Sequence, residues 1–138
     1  MLTYLLVALG GALGSVARFW FSGFIATRVG ETFPWGTLLV NITGSFVIGF
    51  FATLTGTGGR WLAPSNTRIF FMIGICGGYT TFSSFSLQTL NLMREGDWFR
   101  AGANCVASVV LCLFAVWLGH ILAMTINTAM TGNSTKGA

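Results

Sequence analysis

Residues 69–93 read IFFMIGICGGYTTFSSFSLQTLNLM, an apolar run without one Asp, Glu, Lys or Arg. A helix needs roughly 20 apolar residues to cross a bilayer, and this run is long enough. Yet GGYTTFSSFS stands at its centre. Gly77 and Gly78 weaken a helix there, and the Thr and Ser that follow compete for backbone hydrogen bonds. The stretch predicts a membrane crossing that breaks at residues 77–81, near mid-membrane. Non-helical backbone survives at that depth only when buried in protein or lining a cavity. A break also exposes carbonyl oxygens that can hold a small cation.

Three further charge-free runs flank this one: residues 1–17, 32–59 and 101–135. Together they predict four spans at about residues 2–27, 35–54, 69–92 and 101–124, with a polar tail over 125–138 and one domain over residues 1–138. The runs are too long for the roughly 10-residue alternating strands of an outer-membrane barrel. The chain has 138 residues, of which 7 are basic and 3 acidic, and a mean hydropathy of +0.77. Charged residues make up 7% of it, against about 25% in a soluble domain, which excludes a water-soluble globular enzyme. The start, MLTYLLVALGG, lacks a basic region before its apolar stretch, so the first span is expected to be retained. Trp35, Trp61 and Trp98 fall at span ends, where interfacial aromatics belong.

Loop charges are balanced. Four spans put Arg60, Arg68 and Lys136 on one side and Arg28, Arg94 and Arg100 on the other, with Arg18 near an end of the first span. Lys/Arg asymmetry normally fixes orientation, and its near absence suggests insertion both ways round. Coexisting orientations would make an antiparallel two-fold dimer possible. The plain alternative is that a short chain has few charges to count.

The polar residues inside the spans carry the chemistry. Gly10 and Gly14 form one GxxxG and Gly74 and Gly78 another, read as helix packing faces. In the second span Thr37, Asn41 and Ser45 share one helical face. Asn41 either bonds a neighbouring helix or offers its N–H donors to a solute in a water-filled path. After the break Phe82 and Phe85 lie on one face, beside a stripe of Thr81, Ser84 and Gln88. Aromatic ring edges are positive, so two of them turned into a pore would attract an anion without the grip of Lys or Arg. Asn104, Ser108 and Cys112 form a weakly polar track on the fourth span, or bond neighbouring helices. Arg18 can snorkel to the interface or face an aqueous vestibule. Cys76, Cys105 and Cys112 match no zinc or disulfide spacing and read as apolar fillers. His120, the one histidine, is placed near the interface. No span contains Asp or Glu, which a proton-coupled exporter needs.

GGALGSVARF (10–19), GTLLVNITGSFVIG (36–49) and GGYTTFSSFS (77–86), in four spans of a chain this short, resemble the Fluc (CrcB) fluoride channels, over essentially the whole length to about residue 124. The resemblance implies an all-α membrane fold with a broken third helix, an antiparallel dual-topology homodimer, and two pores. It implies that Asn41, Phe82 and Phe85 line the fluoride pore. It sets hydroxyls of Thr81, Ser83 or Ser84 beside the rings and Ser108 on the fourth-span track, with Arg18 as the first-span arginine. It further implies a structural Na+ at the dimer centre, held by backbone carbonyls of Gly77 and Thr80. The expectation is a passive, non-enzymatic channel in the bacterial inner membrane, multi-pass, with fluoride and lipid as partners and no nucleic acid. A small four-span multidrug or cation exporter, and a non-transporting membrane scaffold, are the alternatives.

Overall fold

A computed structural model describes residues 1–56, 59 and 61–134, with side chains through residue 129. Arg60 and Lys136, used in the loop-charge argument, lie outside the described residues. Helix α1 spans Leu2–Val29 and α2 spans Trp35–Leu54. Gly30 closes α1 with φ 87°, a backbone angle that residues with a Cβ rarely adopt. The third crossing has two parts. Its first, α3, covers residues 65–79: Ser65–Arg68, a wide π-helical stretch Ile69–Cys76, and Gly77–Tyr79. Its second, α4, covers Phe82–Arg94. Helix α5 runs over Trp98–Ser134, well past residue 124, where the apolar span was expected to end. Among the described residues four helical stretches are long and apolar enough to cross a membrane: Leu2–Val29, Trp35–Leu54, Ser65–Arg94 and Trp98–Ala129.

The break is narrower than expected. Gly77–Tyr79 stay helical, and only Thr80 (φ −79°, ψ 154°) and Thr81 (φ −151°, ψ 112°) are extended. Two β-branched residues with hydroxyls set this limit. Thr80 Oγ1 bonds back to the Cys76 carbonyl at 2.9 Å, and Thr81 Oγ1 caps α4 by accepting the Ser84 N–H at 3.2 Å. The glycines do a different job. A Cβ on Gly10 would stand 2.7 Å from the Phe70 carbonyl oxygen and 2.8 Å from Gly74 Cα. One on Gly14 would stand 2.7 Å from Tyr79 N. The two GxxxG faces thus pack on each other, backbone against backbone, and fix α3 on α1.

Helix α2 packs along α5, and its C-terminal end is secured by side chains. Arg68 Nη1 donates to Thr55 Oγ1 at 2.5 Å and to the Ala52 carbonyl at 3.4 Å, a cation at the negative end of a helix. His120 Nδ1 meets Thr53 Oγ1 at 2.8 Å, beside the same terminus.

Candidate functional site

Residues from α2, the end of α3, the break, α4 and α5 converge on one groove of about 450 Å³. Asn41, Gly77, Thr80, Thr81, Phe82, Phe85 and Ser108, seven of the nine predicted site residues, line it. Among the described residues no charged side chain does.

Asn41 is half-buried and its carboxamide faces the break. Its Oδ1 accepts the Thr81 N–H at 2.8 Å, and its Nδ2 donates to the Thr81 carbonyl at 3.1 Å. Of the two readings of Asn41, the interhelical bond is therefore made, and its partner is backbone. An uninterrupted helix would send the Thr81 N–H to the Gly77 carbonyl. That carbonyl loses this donor, and both Gly77 and Thr80 border the groove.

The two phenylalanine rings stand 5.2 Å apart, tilted by 50°. They differ in burial. Phe85 is 8% exposed and belongs to the core; Phe82 is 77% exposed in the single chain. A ring that exposed needs a partner surface or lipid to cover it. Ser108 is buried, yet its Oγ has no hydrogen-bond partner and borders the groove. Buried polar atoms are normally paired, so an orphaned hydroxyl at a cavity wall is a contact in waiting.

Arg18 and Ser84 stand apart from this group. They line a second cavity of about 280 Å³ with Ser15, Ser22, Thr37 and Gln88. Thr81 borders both cavities, because its extended backbone lies between them. The Thr81 hydroxyl sits 3.2 Å from Ser83 Oγ and 3.1 Å from Ser84 Oγ. The Gln88 Oε1 is buried and unpartnered there. This second cavity shares Ser22, Thr37 and Gln88 with a wider one of about 660 Å³ at the α1–α2 loop, which Glu95 and Arg100 border. Arg18 thus faces a polar recess rather than apolar surroundings alone.

The fourth-span track divides. Asn104, 1% exposed, donates from Nδ2 to Thr89 Oγ1 at 2.8 Å and is spent on helix packing. Ser108 and Cys112 reach the groove. Sequence reasoning missed Ser15 and Ser22. With Arg18 they recur at i, i+3 and i+7 on α1, a spacing that marks one helix face.

Among the described residues no group of three or more His, Cys, Asp or Glu side chains is placed to hold a metal. A cation here would have to be held by neutral oxygens. The whole arrangement offers an uncharged, largely apolar groove in which an amide, hydroxyls and two phenylalanine rings stand next to a freed backbone carbonyl.

Comparison with known proteins agrees with this geometry. The family model described as "CrcB-like protein, Camphor Resistance (CrcB)" matches residues 5–120. A protein of Opitutus terrae named fluoride-specific ion channel FluC is 66% identical over 93% of this chain and 97% of its own length. Proteins of the same name from Rhodospirillum rubrum and Methylocella silvestris are 64% and 60% identical, over 91% and 90% of this chain and 98% and 95% of theirs.

Proposed function

Because the chain belongs to the CrcB-like family, whose relatives match it over nearly their full lengths, we propose that it is a fluoride-selective channel that lets fluoride leave the cell down its gradient. The observation that carries this reading is the convergence of Asn41, Phe82, Phe85 and Ser108 on one uncharged groove beside the break. Fluoride is small and strongly hydrated. A lining of partial donors can replace its water stepwise and still release it, which conduction requires. The remaining Asn41 amide hydrogen, the Ser108 hydroxyl and the ring edges of Phe82 and Phe85 supply such donors. Asp and Glu occur only at positions 31, 95 and 97, in loops, so no span carries a carboxylate for coupled export.

The reading takes in a second copy of the chain, inverted in the membrane. The exposed Phe82 and the open groove support it, since a partner would cover both and close a pore on each side of the pair. Where the two breaks meet, the carbonyls of Gly77 and Thr80 would hold a sodium ion. The donor set fits: the Gly77 carbonyl has lost the Thr81 N–H, among the described residues no acidic cluster competes, and unwound carbonyls suit a hard monovalent cation. Bound there, the ion supplies fixed positive charge that bridges the two subunits. The bacterial inner membrane is the proposed location. Arg18 and the recess around Ser84 form the approach, where positive charge gathers anions.

Protein reconstituted in liposomes is expected to release fluoride and retain chloride. Phe85→Ile should lower fluoride release by about tenfold or more, as loss of a contact worth one to two hydrogen bonds would. Equal release of both anions by the wild type overturns the reading.

A further inference from the structure

We infer that Asn41 is a positioning residue for the break itself, and through it for the cation carbonyls and the phenylalanine helix together. Its two bonds to Thr81, 2.8 Å from the N–H and 3.1 Å to the carbonyl, engage both backbone groups of the second of the two residues that join α3 to α4. A helix bond cannot serve the Thr81 N–H, since α3 ends at Tyr79 and Thr81 is extended, while the Thr81 carbonyl, at the N-cap of α4, accepts the first bond of that helix as well as the Asn41 amide. Backbone left unpaired inside a membrane protein is costly, so one side chain of α2 takes the place of the missing helical ladder.

A second residue on the same helix shapes the same segment. Gly44, three positions on, is buried, and a Cβ there would meet Thr80 Cγ2 and stand 3.1 Å from Tyr79 Cδ1. Asn41 holds Thr81 by hydrogen bonds while Gly44 leaves room for Thr80. Thr43, between them, meets the Tyr79 hydroxyl at 3.0 Å. The α2 segment 41–44 is therefore a template against which residues 79–81 are laid down. The consequence is a coupling. The Thr80 carbonyl precedes the residue that Asn41 holds, and Phe82 follows it, so one amide sets both the cation site and the anion path.

The inference rests on the channel reading above, including its sodium ion. The test compares Asn41→Ser with Phe85→Ile in liposomes, following fluoride release as sodium is varied. Serine keeps a hydroxyl at the groove but cannot span both Thr81 groups. Asn41→Ser is expected to raise the sodium concentration for half-maximal release by about tenfold, the scale of one lost buried hydrogen bond. It should also speed amide exchange across residues 80–86, read by mass spectrometry. Phe85→Ile should lower release with the sodium midpoint unmoved. Gly44→Ala, which presses on Thr80 from the same helix, should shift the midpoint in the same direction. Reduced release by Asn41→Ser with unchanged midpoint and unchanged exchange would make Asn41 an anion contact only and overturn the inference. If Asn41→Ser does not fold, an unmoved midpoint in Gly44→Ala overturns it. Wild-type release indifferent to sodium would sink the cation reading instead, and exchange across the break would then decide the role of Asn41 by itself.

Discussion

Before the break, α3 leans on α1 through backbone: Gly10 and Gly14 face Gly74 and Gly78, with no room for a methyl group. After it, α4 is held by side chains: Thr81 caps its start, Thr89 accepts from the buried Asn104, and Phe85 and Leu92 enter the core. Past Arg68 the first half is mostly apolar, and its Arg68 and Tyr79 side chains bond to α2. The second exposes Phe82 and Ser83 and brings a row of hydroxyls to cavity walls. One crossing thus combines a fixed strut with a chemically active segment, and Asn41 stands at the joint. The separation teaches where stability and transport should come apart under mutation.

The largest effect falls on the strut. Gly14→Leu puts a branched side chain where even a Cβ would stand 2.7 Å from the Tyr79 nitrogen, and backbone cannot step aside as a side chain can. Overpacking of this kind costs about 1–3 kcal/mol and more when no rotamer escapes, so α1 and α3 should separate. Unfolding in detergent by a mild denaturant is expected to show a large drop in stability. Gly11, with open space around its Cβ position, is the control: Gly11→Ala should leave stability nearly unchanged. Similar losses at both positions would break the comparison.

The rear of α4 comes next. Asn104→Leu removes the donor to Thr89 and leaves that buried hydroxyl with only its own bond to the Phe85 carbonyl, at a cost of about 0.5–1.5 kcal/mol. Adding Thr89→Val removes the other polar group and should recover most of that loss, since replacing both partners can be close to neutral. Fluoride release per folded protein should be unaffected in the double variant, because neither residue borders the groove. Release that falls in the double variant would extend the active surface around α4.

Much of this layout was legible from residue order. Charge-free runs placed the spans, because a bilayer excludes charge over a known length. Helical spacing gave the separate faces that carry Asn41, Phe82 with Phe85, and Ser108, while their meeting in one place was implied only by the family resemblance. The break was placed too widely for a physical reason. Gly77 and Gly78 look like helix breakers in isolation, but glycine in a membrane helix also permits close approach, and the facing Gly10–Gly14 pair put them to that use. The residues that interrupt the helix are the two threonines, with help from an amide 40 positions earlier. A long-range partner leaves no periodic trace. The π-helical Ile69–Cys76 stretch, the cap that Arg68 gives α2, and the recess that takes Arg18 and Ser84 away from the groove depend likewise on neighbours that local spacing does not name.

Ser108→Ala is the smallest change and the sharpest test of the division. The Ser108 oxygen is buried and unpartnered, so removing it breaks no protein hydrogen bond. Stability should hold or rise slightly, because a buried polar atom without a partner is unfavourable to begin with. Transport should respond in the opposite sense. If that hydroxyl meets the passing anion, its loss should slow fluoride release by about three- to tenfold, the range that one ordinary hydrogen bond spans. Parallel denaturation and liposome measurements on one preparation separate the two quantities. A loss of stability with unchanged release would make Ser108 a packing residue like Asn104, and the active segment would then end at the rings of α4 instead of reaching across to α5.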